Sequence, residues 1–269
     1  MKIDLHAHSH VSDGELSPEG LMRAAHTGGL DVIALTDHDT AAGIDEAAAE
    51  AAELGIKLIP GIEISTRWME HELHILGYGI DHRVPAIVAH QEDSLLRRGR
   101  RMRGMVERLC EMGIEITFEE VIEAAGPAKS LGRPHLARAL LAAGHVRYFG
   151  EAFERFISDG GPAFVAESFP TPAEAINIIH AAGGLAVWAH PPLDHFESLI
   201  AGFVEWEVDG IECFRSNLAP AETLMLLRGA TGRGLLPTGG SDWHGPHRSL
   251  LGDFYVTEDQ VGELVRRIG

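Results

Sequence analysis

The sequence predicts an α/β fold built on parallel strands and interrupted by a helical insertion, and three observations carry that expectation. Short apolar runs alternate with helix-length segments in the first and last thirds of the chain. From about Pro85 to Phe156 that rhythm gives way to helix after helix, with no convincing strand. Histidines and acidic residues recur at the ends of the strand-like runs, where a parallel barrel places its catalytic groups.

The elements follow in order. "KIDLHAH" is a strand, and "SPEGLMRAAHTGGL" a helix with Ser17 as N-cap and Pro18 in its first turn. "DVIALTDHD" is a buried strand, "GIDEAAAEAAELG" a helix ended by Gly55, and "KLIPGIEIST" and "HELHILGYGI" two further strands. The middle segment holds the basic run "SLLRRGRRMRGMVERLCEMG", which is either a solvated helix face or a surface that attracts an anion or a partner. The alternation resumes with "TPAEAINIIHAAGG", where Thr171 and Glu174 occupy capping-box positions. The strands "LAVWAHPP", "GIECF" and "LLPTGGSDWHG" come next, and "EDQVGELVRRIG" closes as a helix.

The 269 residues can bury a full core, and 45% hydrophobic content fits a soluble globular chain. No run is long and apolar enough to span a bilayer, and no basic-then-apolar leader opens the sequence, so the cytoplasm is the expected location. Cys110 and Cys213 lie far apart without a CxxC pattern and read as two reduced core thiols. The formal charge of −18, from 22 basic and 40 acidic side chains, argues against a partner such as duplex nucleic acid. A small phosphorylated substrate stays compatible, because bound cations make a site locally positive.

The polar exceptions form a pattern. His6 and His8 are two apart on one strand and share a face, with Asp13 in the following loop. His38 ends "LTDHD", Glu63 ends "PGIEIS", His74 lies in "HILGYG", His190 ends "VWAHP", and Asp242 and His244 end "GGSDWH". A lone strand-end histidine is more often a hydrogen-bonded structural residue than a ligand. Nine imidazole and carboxylate groups over almost every strand end suit Zn²⁺, Mn²⁺ or Fe²⁺, and they exceed the roughly four ligands of one tetrahedral ion. Two or three ions sharing a carboxylate fit the count. His10 has the parity of His6 and His8 and reads as a neighbour of the site or as an exposed residue.

The motifs "DLHAHS", "SDG", "ALTDHD", "GIEIS", "HILGYG", "AHP" and "GSDWH" resemble, in order and over nearly the full length, those of the PHP family, the polymerase and histidinol phosphatase domains. The resemblance implies a distorted (β/α)₇ barrel over residues 1–84 and 157–269, with a helical insertion over 85–156 covering the active site. It implies a trinuclear centre: one metal on His6, His8, Glu63 and Asp242, a second sharing Glu63 with His74 and His190, and a third on Asp13, His38 and His244. Three divalent ions bring six positive charges against three from Asp13, Glu63 and Asp242, so the pocket would stay cationic.

Hydrolysis of a phosphate ester by metal-bound hydroxide is the expected reaction, and it requires no serine or cysteine nucleophile. In "LGRPHLARALLAAG", Arg133 and His135 enter a helix and could grip a phosphate. The segment resembles the RxH element of the small PHP phosphoesterases that carry a helical insertion. The substrates this implies are nucleoside 3′,5′-bisphosphates, losing the 3′-phosphate, and short RNA 5′ ends. Arg215 and Arg248 are weaker candidates for the same anion-binding role. The rival readings are a histidinol-phosphate phosphatase, an amidohydrolase-like C–N hydrolase carrying a carboxylated lysine, and a non-catalytic PHP module.

Overall fold

The computed structural model describes residues 1–166, 168–247 and 249–268. The chain divides into two compact units, residues 1–91 with 169–269, and residues 92–168.

The first unit is a nearly closed eight-stranded sheet wrapped by helices. Its strands are β1 (Lys2–Ala7), β2 (Val32–Leu35), β3 (Lys57–Trp68), β4 (His71–Tyr78), β5 (Leu185–Trp188), β6 (Gly210–Phe214), β7 (Leu236–Gly239) and the short β8 (Val256–Thr257). They lie in the order β7-β6-β5-β4-β3-β2-β1-β8. An isolated parallel bridge between Ala7 and Trp243 brings the chain beyond β7 back against β1. This is the distorted (β/α)₇ barrel expected from the sequence, with β8 added antiparallel on β1. Gly240 permits the closure, because a Cβ there would lie 2.4 Å from both the backbone nitrogen and the Cβ of His6.

The helices of this unit form where the local signals place them. Helix α1 (Pro18–Thr27) starts with the Ser17 side chain accepting from the Gly20 N–H at 3.0 Å. Helix α2 (Ile44–Leu54) ends on Gly55, whose left-handed φ of 71° favours glycine. In α7 (Pro172–Ala181) the reciprocal Thr171–Glu174 capping box is present. Helices α8 (Phe196–Glu205) and α9 (Pro220–Thr231) cover the later strands. In α8 the buried residues Phe196, Leu199, Ile200 and Phe203 form one apolar stripe, and Trp188 of β5 stacks on Phe203 at 3.9 Å. Helix α10 (Glu258–Arg267) closes the unit.

Two expectations about this sheet need correction. Strand β4 runs antiparallel to both β3 and β5, whereas alternation with helices had implied parallel pairing throughout. Only Met69 and Glu70 separate β3 from β4, and a parallel crossover needs a dozen residues or more. Glu63 does not end its strand: β3 continues to Trp68, and the hairpin extends past the barrel rim.

The second unit packs its own core from Met102, Met105, Leu109, Val121, Leu136 and Phe156 among others. Its helices are the continuation of α3 (Pro85–Glu111), then α4 (Phe118–Ala125), α5 (Arg133–Ala142) and α6 (Phe149–Ala152), with a π-helical turn at Phe153–Ile157. The basic run of α3 is not simply a solvated face. Arg97, Arg98 and Arg101 are buried; Arg97 pairs with Asp93 at 2.7 Å, and Arg98 and Arg101 donate to the carbonyls of Leu131 and Val165. Arg100 and Arg103 are exposed. Of the two free cysteines, Cys213 is a core thiol and Cys110 is exposed, so the expectation of two core thiols holds for one.

Candidate metal centre

Barrel geometry converges the strand-end residues on one carboxylate. His6 and His8 project from the same face of β1, and each directs Nε2 to within 3.2 Å of Glu63 Oε2 and 3.3 Å of Asp242 Oδ1. His38 Nδ1 lies 3.2 Å from the same Glu63 oxygen. The other Glu63 oxygen is 2.9 Å from His74 Nδ1 and 2.9 Å from His190 Nε2. His74 reaches this end of the barrel because β4 is antiparallel: the first half of β4 lies beside the second half of β3, with His74 opposite Ser65. On the far side of His8, Asp13 Oδ1 lies 3.9 Å from His8 Nδ1 and 3.4 Å from His244 Nε2. The rings of His8 and His244 stack at 4.2 Å.

Three groups have donor atoms mutually within 4.8 Å: His6, His8, Glu63 and Asp242; His38, Glu63 and His74; and His8, Asp13, His38 and His244. The first is the expected set. The other two differ from the expected partition in three respects. His38 stands with Glu63 and His74 as well as with Asp13 and His244, and His8 faces two groups through its two ring nitrogens. His190 is in none of the three groups, although its Nε2 lies 2.9 Å from Glu63 Oε1. His10 belongs to none of the groups among the described residues, and its N–H donates to the Leu16 carbonyl.

Loop chemistry fixes these positions. Asp37 accepts from Ser9 N–H at 2.8 Å and from the Ser9 and Ser12 hydroxyls at 2.7 Å each, which ties the loop carrying Asp13 to the end of β2. Gly14 is required there, since a Cβ would lie 2.4 Å from the His8 carbonyl oxygen. Asp4 accepts from the N–H groups of His6 and Ser241, which pins β1 to the loop bearing Asp242, and burial pushes its pKa up to about 6. Asp39, His190 and Asp242 have φ of 53°, 25° and 53°, strained values for residues other than glycine. Each lies at or beside a cluster histidine or carboxylate.

The electrostatics fit cations. Burial by itself would raise Glu63, Asp13 and Asp242, yet the surrounding imidazoles outweigh it and hold all three well below the usual carboxylate range. Burial would likewise lower His8 and His74, but the carboxylates carry both up to about 10. For His38 burial wins, and its pKa falls to about 3. Both ring nitrogens of His8 and Nδ1 of His38 are buried and face carboxylate oxygens at 3.2–3.9 Å without good hydrogen-bond geometry, an arrangement that suits an ion between them. Imidazole and carboxylate donors without thiolate suit a divalent ion such as Zn²⁺, Mn²⁺ or Fe²⁺. The residues present therefore fit a metal centre.

Sequence reasoning missed Glu212. It is wholly buried in β6, with one oxygen 2.9 Å from His6 Nδ1 and the other accepting the His190 N–H at 2.7 Å. Its signal was a charge inside the apolar run "GIECF". The remaining sequence candidates lie elsewhere. Arg215 lines a cleft of about 260 Å³ together with Ser216, Asn217, Ser241, Asp242 and His244. Arg133 and His135 belong to the helical unit. There Arg133 Nη1 contacts Asp159 Oδ1 at 2.6 Å, and the buried His135 accepts the Gly132 N–H through Nδ1 at 2.9 Å. Arg248 lies outside the described residues.

A barrel that gathers imidazoles and carboxylates around a shared glutamate has the donor set of a metal-dependent enzyme. The PHP domain model matches residues 4–121. A 5′-3′ exoribonuclease of Haemophilus influenzae is 39% identical over 255 residues, covering 91% of this chain and 90% of that protein. A 3′,5′-nucleoside bisphosphate phosphatase of Chromobacterium violaceum is 35% identical over 251 residues, covering 91% and 87%. A solved Chromobacterium violaceum structure, described as an amidohydrolase with bound sulfate and no metal, superposes with a TM-score of 0.90 at 32% identity, over 99% of this chain and 97% of that one. The chain belongs to the PHP family and is a hydrolase of phosphoester bonds.

Proposed function

We propose that the cluster holds two or three divalent ions and that the protein removes the 3′-phosphate from nucleoside 3′,5′-bisphosphates, with the 5′ ends of short RNA as a second substrate class. The observation that carries this reading is the position of Glu63, a single buried carboxylate within 3.2 Å of five imidazoles. In this reading one ion is held by His6, His8, Glu63 and Asp242, a second by Glu63, His74 and His190, and a third by Asp13, His38 and His244. When bound, the ions supply positive charge at the phosphoryl group and acidify the attacking water. The chain's own contribution is to orient the imidazole nitrogens and to keep the carboxylates ionised in a buried site.

Substrate choice is supported by the relatives and by the available cations. One relative is named for bisphosphates and another for RNA. Arg133 and His135 are the candidates for the phosphate that does not react, and Arg215 for an anion in the cleft beside Asp242. The amidohydrolase reading has less support. Its carboxylated lysine would need to stand at a strand end, and the three lysines are Lys2, which opens β1, Lys57, which opens β3, and Lys129 in the helical unit. Among the described residues no helix is long and apolar enough to cross a membrane. Two free cysteines suit a reducing compartment such as the cytoplasm.

The test is phosphate release by Mn²⁺-loaded protein from a nucleoside 3′,5′-bisphosphate, histidinol phosphate and a nucleoside 5′-monophosphate, measured side by side. Preference for the bisphosphate is expected. Turnover of histidinol phosphate alone would replace this substrate assignment.

A further inference from the structure

We propose that Glu212 is a positioning residue that sets two donors of the metal centre at once, fixing the tautomer of His6 and the backbone at His190. This rests on the reading of the cluster as a metal centre.

Glu212 stands on β6, opposite Thr238 of β7. The next strand on its other side is β5, which ends just before His190. Its carboxylate is completely buried, and each oxygen has a different donor: Oε1 lies 2.9 Å from His6 Nδ1, and Oε2 accepts the His190 N–H at 2.7 Å. With both oxygens engaged, Glu212 joins none of the three donor groups among the described residues. It acts through its neighbours.

The consequence for His6 is chemical. An imidazole that donates Nδ1–H to a carboxylate keeps the lone pair on Nε2, and Nε2 is the atom that faces Glu63 and Asp242. Without this acceptor the proton could sit on Nε2 and close that position to a cation. The consequence for His190 is conformational. Its φ of 25° is unfavourable for a residue with a Cβ, and the 2.7 Å bond from its N–H to Glu212 helps hold that backbone while Nε2 reaches Glu63. His6 and His190 are expected on different ions, so this single side chain would couple two sites. Substitution by glutamine cannot reproduce both bonds. An amide offers one oxygen, and its NH₂ must then face either the His6 ring or the His190 N–H.

The experiment compares wild-type protein with Glu212→Gln, Glu212→Asp and the near-isosteric control Thr238→Val, using Mn²⁺ as the binding probe. Binding is measured by titration calorimetry and metal content, and the Nδ1–H of His6 by ¹⁵N imidazole shifts in the diamagnetic Zn²⁺-loaded protein, where Nε2 is free of a proton. The expected result is a loss of about 10–100-fold in Mn²⁺ affinity for Glu212→Gln, with the His6 Nδ1 signal of the Zn²⁺-loaded protein shifting as its carboxylate acceptor is lost and Thr238→Val unchanged. Glu212→Asp keeps the charge one methylene short of both donors, and it should also lose affinity; it serves as the test where the glutamine variant does not fold. Wild-type affinity together with a wild-type His6 Nδ1 signal in the folded variants would overturn the role of Glu212. Failure of the wild-type protein itself to bind Mn²⁺ would instead overturn the metal-centre reading.

Discussion

Glu63 and His8 are both wholly buried, and Oε2 of one lies 3.2 Å from Nε2 of the other. The same carboxylate reaches His6, His38, His74 and His190 as well, so removing its charge should undo the site as a unit. Glu63→Gln keeps the shape and loses the charge. Several kcal/mol of transition-state stabilisation go with a lost metal, so phosphate release should fall on the order of a thousandfold or more. Steady-state kinetics at saturating Mn²⁺, with circular dichroism to verify folding, checks this; turnover near wild type would remove Glu63 from the centre of the site.

Metal removal should lower stability as well as activity. The cluster concentrates acidic and imidazole groups in a buried space, and ions that bind only the folded state stabilise it by mass action. At a thousand times Kd the gain is about 4 kcal/mol, which at this chain length corresponds to a shift in Tm of roughly 8–16 °C. Thermal melts with and without Mn²⁺, after dialysis against a chelator, measure it. Coincident melts would show that nothing in the cluster binds the ion in the folded state.

Much of this site was legible because the polar residues interrupt strands that are otherwise apolar. His6, His8, His38 and His190 each sit in or just after a run whose neighbours are buried, and the barrel then brings them together. What was not legible depends on which strands are neighbours. The two residues between Trp68 and His71 already rule out a parallel crossover, yet periodicity is blind to strand direction, so β4 read as one more parallel strand. The role proposed for Glu212 needs β6 beside β5 and only one strand removed from β1 through the closure at β7, which no local pattern states. The same limit applies to Arg97, Arg98 and Arg101. A basic helix face looks solvated until the carbonyls of Leu131 and Val165 are placed against it.

The two cysteines should differ in reactivity. Cys213 is inaccessible in β6, and burial followed by the nearby charge of Glu212 pushes its thiol up to about 12. Thiolate is the reactive form, so Cys213 should resist alkylation in native protein up to about pH 10. Cys110 is exposed and should react. A thiol-reactive dye should therefore titrate one group in native protein and two after denaturation. Two groups in the native state would mean that β6 opens far more readily than its burial implies.

The two arginines proposed to bind substrate should separate by kinetics. Arg133 contacts Asp159 at 2.6 Å with its side chain 21% exposed, so it can exchange an aspartate for a phosphate oxygen at modest cost. Loss of a charge-assisted phosphate contact costs about 1.5–3 kcal/mol, or about tenfold and upward in KM. Arg133→Ala should impose that penalty on a nucleoside bisphosphate and leave an aryl phosphate nearly unchanged, because the second substrate has no other phosphate to hold. Arg215 shares its cleft with Asp242 and His244, and its Nε is buried without a hydrogen-bond partner. Arg215→Ala should therefore slow both substrates by similar factors. Parallel kcat and KM determinations on the two substrates decide the matter. Equal effects of Arg133→Ala on both would return Arg133 to a structural role in the helical unit, and an effect of Arg215→Ala on the bisphosphate alone would exchange the two roles.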